Sequence, residues 1–281
     1  MKTYKEHFLE CRKNYNENSE CDQDYLYKFS LAVADEESNW LVLNSDYSQC
    51  VEKIKNDLEN RFTSKEECWY PPGLPVEKDF ATRIKNIWNI DGLEELCNLV
   101  VPQIESKIFG SHALVEAVYA YRNSYKEAGE RSSWIWHYDN HPKETIKVMI
   151  YLTDVTEKTG AFQVLMNAEG ETVKAETTRI DYNCWTNPGS RIPNDLVNKL
   201  KERGYIPTKI VGKSGTMCIF DNNIIHKASI PEKGYYRDAI VLMMRPTEQK
   251  RRPFIDNENT GTFYHIDLHI DPEHLGVVAK R

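Results

Sequence analysis

The stretch Trp136-His137-Tyr138-Asp139-Asn140-His141 organises the interpretation of the whole chain. His137 and Asp139 are two positions apart, so an extended strand would project both side chains from the same face. An imidazole beside a carboxylate supplies two ligands of a facial triad, which binds ferrous iron and leaves coordination positions open. The third ligand must come from elsewhere, and His226 at the end of the stretch 221–226 is the candidate.

Short strands surround these residues. After Gly110 the hydrophobic period changes to two, β-branched and aromatic residues become frequent, and Gly160, Gly212 and Gly215 stand at turn positions. We predict strands over residues 112–125, 134–139, 146–152, 161–165, 208–211, 216–220, 224–228 and 237–245. Such a series of short strands is typical of an antiparallel sandwich or barrel. We therefore expect a mainly β fold with flanking helices (α+β).

The first third of the chain differs in pattern from the strands that follow. Apolar residues recur at helical spacing from Asp46 to Phe62, with Ser45 or Asp46 as the cap, and again after Asp91, which can cap a second helix. Residues 39–44 have the composition of a strand. We expect these elements to form a mostly helical region, residues 1–110, packed on the barrel.

The rest of the chain divides into a catalytic core over residues 111–246 and a tail over residues 247–281. A polar insertion over residues 166–207 interrupts the core and contains a predicted helix at residues 194–203. Long insertions in compact domains often form lids or substrate walls, which is the role we expect here. All these parts are expected to belong to one structural domain.

Composition limits the classes of partner. The net charge of −7 argues against nucleic acid and anionic membranes, and no apolar run approaches the length of a membrane span. An odd number of cysteines without a CxxC pair suits reduced thiols in the cytoplasm; they are residues 11, 21, 50, 68, 97, 184 and 218. The sequence leaves the oligomeric state open.

With these residues in place, the sequence resembles the ferrous iron- and 2-oxoglutarate-dependent oxygenases, most of all their phytanoyl-CoA dioxygenase-like family. The resemblance covers roughly residues 115–246 and rests on the motifs at 136–139, 146–155, 159–162 and 215–222, followed by His226 and Arg237. It implies a double-stranded β-helix (jelly roll, cupin-like) and a dioxygenase that hydroxylates a small molecule. The implied cofactors are Fe(II), 2-oxoglutarate as cosubstrate and O2, with succinate and CO2 as coproducts.

The resemblance also implies residue roles. His137, Asp139 and His226 would bind the iron, and Arg237 would bind the distal carboxylate of 2-oxoglutarate, which a guanidinium pairs in bidentate fashion. No catalytic residue beyond the metal site is required, because the cofactor carries the oxidation. Asp139 favours hydroxylation, since halogenating relatives have a small residue there. Ala228 departs from the family, whose members often have a hydroxyl residue at that position.

Six further residues are candidates for the walls of the site. Tyr119 and Tyr121 could contact the cosubstrate, and the substrate candidates are Arg122, Trp134, Asn140 and His141. The aromatic residues could equally be core residues. His141 lies on the predicted face of His137 and Asp139 and could replace a ligand or support one.

Several alternatives remain at this stage. The same chemistry could hydroxylate a protein or peptide side chain, or the barrel could be a cupin-like binding protein without turnover. His137 and Asp139 could form a hydrogen-bonded surface pair. Two rival HxD triplets occur near the C-terminus, at 265–267 and 269–271, but only His274 follows them, so we interpret them as surface pairs.

Overall fold

The fold consists of two antiparallel sheets with helices packed on the larger one. A computed structural model describes residues 3–15, 22, 24–35, 37–38, 40–69, 81–84, 87–127, 132–177 and 190–248. Its strands are β1 (Leu31–Ala34), β2 (Cys68–Trp69), β3 (Ala81–Ile84), β4 (His112–Ser124), β5 (Ile146–Tyr151), β6 (Phe162–Met166), β7 (Ile206–Ile210), β8 (Met217–Asp221), β9 (His226–Ala228) and β10 (Tyr236–Thr247). Its α-helices are α1 (Tyr4–Lys13), α2 (Tyr25–Lys28), α3 (Ser45–Ser64), α4 (Leu93–Ile104) and α5 (Asn194–Glu202).

The larger sheet has seven strands in the order β1-β8-β5-β10-β4-β3-β2, and the smaller one has three in the order β7-β6-β9. Buried side chains from both sheets share one apolar cluster, which includes Phe162 and Val164 of β6 and Phe220 of β8. Burial of these faces against each other is the main stabilising contribution. This is the mainly β sandwich with flanking helices that the sequence predicts.

The helices of the first third cover the outer face of the larger sheet. Tyr47, Ile54 and Leu58 of α3 are buried in one large cluster with side chains of α4 and of the sheet. Asn44 caps α3 by accepting a hydrogen bond from the Tyr47 N–H at 3.1 Å, in place of the predicted Ser45 or Asp46. Gly92, with a φ of 83°, is the N-cap of α4 in place of the predicted Asp91. The helices themselves match their predictions.

Two predicted strands are wrong. Residues 134–139 are not a strand: a 3-10 turn over Ser132–Trp134 precedes two isolated β-bridges at His137, one to Arg191 and one to His226. The extended path ends at Asn140, which adopts a φ of 54°, a left-handed conformation that asparagine tolerates. Residues 40–44 form no strand either, because the Gln103 side chain pairs with the backbone N–H and carbonyl of Val42.

The structure contains strands that the sequence patterns miss. Strand β1 pairs antiparallel with β8, and β3 pairs with β4, so the N-terminal region contributes to the main sheet as well as to its helical cover. Strands β1, β2 and β3 have two to four residues each, which is too short for a hydrophobic period to be recognised. Four strands of residues 111–246 (β4, β5, β8 and β10) therefore share one sheet with residues 31–34, 68–69 and 81–84.

The insertion is folded onto the smaller sheet where the structure describes it. Helix α5 confirms the predicted helix and buries Val197 and Leu200 against Trp136 and Ile225. Bridges join Lys174 to Ile224 and Arg191 to His137. The insertion therefore contacts the two segments that contain the candidate ligands.

Some predictions concern residues outside the described part of the chain. Cys21, Cys184, both C-terminal HxD triplets and nearly all of the tail lie there. None of the five cysteines within the described ranges forms a disulfide. In the same ranges, no helix has the length and apolar character needed to cross a lipid bilayer.

Candidate metal centre and its cavity

The backbone places His137 and His226 directly opposite each other. The His137 N–H donates to the His226 carbonyl at 3.0 Å, and the His226 N–H donates to the His137 carbonyl at 2.8 Å. Residues that exchange both hydrogen bonds in this way project their side chains to the same face. The two imidazole centroids consequently lie 4.4 Å apart.

Hydrogen bonds fix the orientation of both rings. Nδ1 of His137 lies 2.7 Å from the carbonyl of Ile135, and Nδ1 of His226 lies 2.9 Å from the carbonyl of Ile224. A carbonyl only accepts, so each Nδ1 is the protonated nitrogen and each Nε2 keeps a lone pair. Metal-binding histidines use this arrangement, because the backbone bond fixes the tautomer that can act as a ligand.

Asp139 completes the group on the same side. Its backbone N–H donates to the Asn222 carbonyl at 2.9 Å, which keeps residues 137–139 extended beside the segment that leads to His226. Its Oδ2 lies 3.7 Å from Nε2 of His226. One ligand atom from each of His137, Asp139 and His226 lies within 4.8 Å of the other two. Two neutral nitrogens and one carboxylate at these separations fit a divalent cation such as Fe(II).

Burial and neighbouring charges prepare the ligands for a cation. Burial lowers the pKa of His137 to about 3, and burial also lowers the pKa of His226, so both rings are neutral near pH 7. Burial alone would raise the pKa of Asp139, but the Lys147 ammonium holds that pKa far below its usual range. The three ligands therefore need to release no proton when a metal binds near neutral pH.

The triad forms one wall of a cavity of about 220 Å³ between the two sheets. Rings of Phe162 and Phe220 stack on each other at 4.7 Å and lie 5.4 and 5.5 Å from the His226 ring. These contacts make the part of the cavity beside His226 apolar. The remaining lining residues are Arg83, Tyr119, Tyr121, Ser133, Lys147, Met149, Ala228, Arg237 and Val241.

Arg237 is a buried cation with an available donor. Its side chain is 1% exposed, its Nη2 donates to the Tyr121 hydroxyl at 3.2 Å, and its Nη1 lies 3.8 Å from the Met149 sulfur. Its Nε has no hydrogen-bond partner. No carboxylate among the described residues forms an ion pair with it. A buried guanidinium in this state fits a ligand that brings its own carboxylate into the cavity.

The other predicted site residues divide into two groups. Tyr119 and Tyr121 line the cavity with the triad and Arg237. Arg122, Trp134, Asn140 and His141 are absent from its lining. Trp134 is fully buried and donates to the Asn123 side chain at 3.1 Å, and Asn140 accepts a bond from the Thr177 hydroxyl at 3.2 Å.

Sequence reasoning missed five polar or aromatic residues of this cavity: Arg83, Ser133, Lys147, Phe162 and Phe220. Lys147 had a detectable signal, because it is the only charged residue in the strand Ile146-Lys147-Val148-Met149-Ile150-Tyr151. Strand alternation places its side chain on the same face as Met149, which also lines the cavity. Arg83 offered no comparable signal, since its strand has four residues, which are too few for a periodic pattern.

Comparisons with known proteins agree with this geometry. A sequence profile of the family described as phytanoyl-CoA dioxygenase (PhyH) matches residues 75–230. The L-proline trans-4-hydroxylase of Streptomyces griseoviridis is 22% identical over 172 residues. That match covers 53% of this chain and 64% of the relative, so the chain spans less than two thirds of the relative's length.

Solved structures share the fold at low sequence identity. The apo form of EctD from S. alaskensis is 15% identical with a TM-score of 0.54, and the match covers 84% of each chain. Other structures of that protein contain Fe, or 2-oxoglutarate and 5-hydroxyectoine. The non-heme alpha ketoglutarate dependent epimerase SnoN from nogalamycin biosynthesis is 11% identical with a TM-score of 0.52, covering 79% of this chain and 80% of SnoN.

Proposed function

Since this chain belongs to the phytanoyl-CoA dioxygenase (PhyH) family, we propose that it is an Fe(II)- and 2-oxoglutarate-dependent dioxygenase that hydroxylates a small molecule. One observation carries the proposal: the ligand atoms of His137, Asp139 and His226 meet within 4.8 Å on the wall of a cavity that also contains the buried guanidinium of Arg237. A cation site and an anion site in one cavity suit a metal and a dicarboxylate bound together.

In this proposal each ligand residue has a separate task. The Nε2 atoms of His137 and His226 and a carboxylate oxygen of Asp139 would hold the iron. With 2-oxoglutarate, the bound iron would supply the oxidation, in which one atom of O2 enters the substrate and the other enters succinate as CO2 is lost. The stacked rings of Phe162 and Phe220 exclude water from this side of the cavity.

Arg237 and Tyr121 would bind the distal carboxylate of 2-oxoglutarate. The guanidinium can form two parallel hydrogen bonds to a carboxylate, and the Tyr121 hydroxyl, already 3.2 Å from Nη2, can donate a third. Ala228 lines the same cavity without offering a hydroxyl, so the family's usual extra donor is missing here. Burial of the ion pair strengthens it relative to water.

The substrate is a small molecule in this proposal. A cavity of about 220 Å³ has room for a compact ligand beside the cosubstrate, not for a folded segment. Small substrates also occur among its relatives, since the S. griseoviridis enzyme acts on L-proline and EctD binds 5-hydroxyectoine. We place the enzyme in the cytoplasm, where its buried cysteine thiols stay reduced.

The experiment is an anaerobic addition of Fe(II) and 2-oxoglutarate to the purified protein. We expect a visible charge-transfer band and, after admission of air, slow succinate formation. Asp139→Ala and His226→Ala should lose both signals, because each removes a ligand. His141→Ala is the matched control, since His141 neighbours the triad without belonging to it, and this variant should keep the band. Absence of both band and succinate in the unchanged protein would refute the proposal.

A further inference from the structure

The cavity contains a lysine that the proposed chemistry does not use. Lys147 is the second residue of β5, and its side chain is 16% exposed. Its Nζ donates to Oδ2 of Asp139 at 2.7 Å. A lysine on an inward face costs free energy through lost hydration, and an apolar side chain would fill the position at no such cost. Packing alone therefore does not explain why this position has a lysine.

The charges on the cavity lining are mostly positive. The lining includes the cations Arg83, Lys147 and Arg237, whereas Asp139 is the only carboxylate among the described lining residues. The Lys147 ammonium lies 2.7 Å from that carboxylate. A histidine that binds a metal through the Nε2 lone pair is neutral, so the two triad histidines add no charge.

Counting the charges of the proposed complex shows which cation is left over. The two positive charges of Fe(II) and the one of Arg237 are matched by the carboxylate of Asp139 and the two carboxylates of 2-oxoglutarate. These charges cancel, so the Lys147 ammonium, which also lines the cavity, adds a net positive charge. A buried cation without a compensating anion is unfavourable, and an anionic group on the substrate would supply the compensation.

A bound metal would weaken the ion pair between Lys147 and Asp139. A divalent cation at the triad would attract the same carboxylate and repel the ammonium. An ammonium has three N–H donors in flexible directions, so Lys147 can keep one bond to Asp139 and direct another to a ligand. Lys147 thus stands beside the metal-binding carboxylate with a donor for the substrate.

We propose that Lys147 determines substrate specificity by binding a carboxylate of the substrate, which makes the substrate a small carboxylic acid. This inference rests on the proposed function and adds the chemical class of the substrate to it. A carboxylate suits the site better than a phosphate does, because one ammonium matches its single charge. The contact orients the substrate beside the iron ligands, so it positions the carbon to be hydroxylated.

The test compares acids with their amides on the anaerobic Fe(II) and 2-oxoglutarate complex, which cannot turn over. The probes are the L-amino acids, including L-proline, and short aliphatic acids, each paired with its primary carboxamide. We expect at least one acid to raise the unfolding temperature in a concentration-dependent manner, and its amide to bind about 10- to 100-fold more weakly. The outcome that overturns the proposal is a panel without any binding acid, or an amide that binds as tightly as its acid.

Two variants then locate the effect at Lys147. Lys147→Met keeps the length of the side chain without its charge, and should lose the preference for the acid while keeping the charge-transfer band. Lys147→Arg should keep most of the preference. If Lys147 only orients Asp139, Lys147→Met would instead weaken Fe(II) binding and leave the acid preference intact, which refutes the inference.

The two proposals fail in distinguishable ways. A protein without the charge-transfer band refutes the proposed function before any probe is added. A protein that shows the band but binds acids and amides equally refutes only the role of Lys147. The acid and amide comparison uses the unchanged protein, so it decides the question even where Lys147→Met does not fold.

Discussion

At the scale of single residues, Arg237 and Arg122 differ in their partners, which suits Arg122 to stabilising the fold and Arg237 to binding a ligand. Both guanidiniums belong to neighbouring strands, but only Arg122 is bound by carboxylates of the chain itself. Arg237 is held by a tyrosine hydroxyl and a thioether, and its Nε has no partner. Carboxylates of the chain thus compensate the charge of Arg122, whereas a ligand carboxylate would compensate that of Arg237.

Arg237→Met should weaken 2-oxoglutarate binding about 100-fold, because it removes the cation that would pair with a buried carboxylate. When no ligand is present, the variant should unfold at no lower temperature than the unchanged protein. It loses the hydrogen bond from Nη2 to the Tyr121 hydroxyl, but it also removes a buried charge that no carboxylate compensates and an Nε without a partner. Calorimetric titration of the anaerobic Fe(II) protein with 2-oxoglutarate measures the affinity.

The control for this prediction is Arg237→Lys, which keeps the charge but not the planar fork and should bind with an intermediate affinity. Undiminished 2-oxoglutarate binding by Arg237→Met would contradict the role of the arginine. A large loss of stability in the ligand-free variant would assign Arg237 to the fold instead.

The triad could be predicted because residue types and their spacing are enough to identify its members. The HxD spacing, a histidine at the start of a later strand and an arginine beyond it are all visible in the chain, and the structure brings these residues to one cavity. The sequence could not predict the hydrogen bonds from Nδ1 to Ile135 and Ile224, because they depend on the backbone path around each histidine. Nor could it separate cavity residues from their neighbours, as Arg122 and Trp134 show.

At the scale of elements, Arg122 joins three pieces of secondary structure. Its Nε and Nη2 donate to both carboxylate oxygens of Asp238 on β10 at 2.8 and 2.7 Å, and Nη2 also contacts Glu59 of α3. The guanidinium lies over the rings of Phe62 of α3 and Tyr236 of β10, at 4.5 and 4.0 Å. It therefore connects β4 to its neighbouring strand and to the helical layer.

Arg122→Met should lower the free energy of unfolding by about 3 kcal/mol, because Asp238 is left buried with an unpaired charge. Denaturant unfolding followed by circular dichroism measures this loss. The double variant Arg122→Met/Asp238→Asn should recover much of it, since the remaining partner is then neutral. Unchanged stability together with weaker ligand binding would instead assign Arg122 to the substrate site.

The elements also show where periodicity fails as a guide. The segment 134–139 has the composition of a strand, but Arg191 and His226 both form bridges to His137, and the left-handed Asn140 ends the extended path. Strand β1 was missed because its four residues become a strand only through pairing with β8. In both cases the pairing partner is distant in sequence, so the strand propensity of the local residues cannot predict the pairing.

At the scale of the whole molecule, the candidate centre lies where the two sheets and the insertion meet. Asp139 and His137 precede the larger sheet's β5, His226 begins β9 of the smaller sheet, and Arg237 belongs to β10. An ion pair between Lys174 of the insertion and Asp221 at the end of β8, at 2.9 Å, joins the insertion to the segment before His226. The site is therefore built from contacts of high sequence separation, which hold its ligands in place.

Anomalous diffraction tests most directly whether His137, Asp139 and the distant His226 hold one iron ion. Crystals grown anaerobically with Fe(II) and 2-oxoglutarate should give one strong anomalous peak at the iron edge. We predict that the peak lies within bonding distance of Nε2 of His137, Nε2 of His226 and a carboxylate oxygen of Asp139, with a dicarboxylate between the ion and Arg237. A peak at any other set of side chains, or the absence of a peak beside His137 and His226, would contradict the claim.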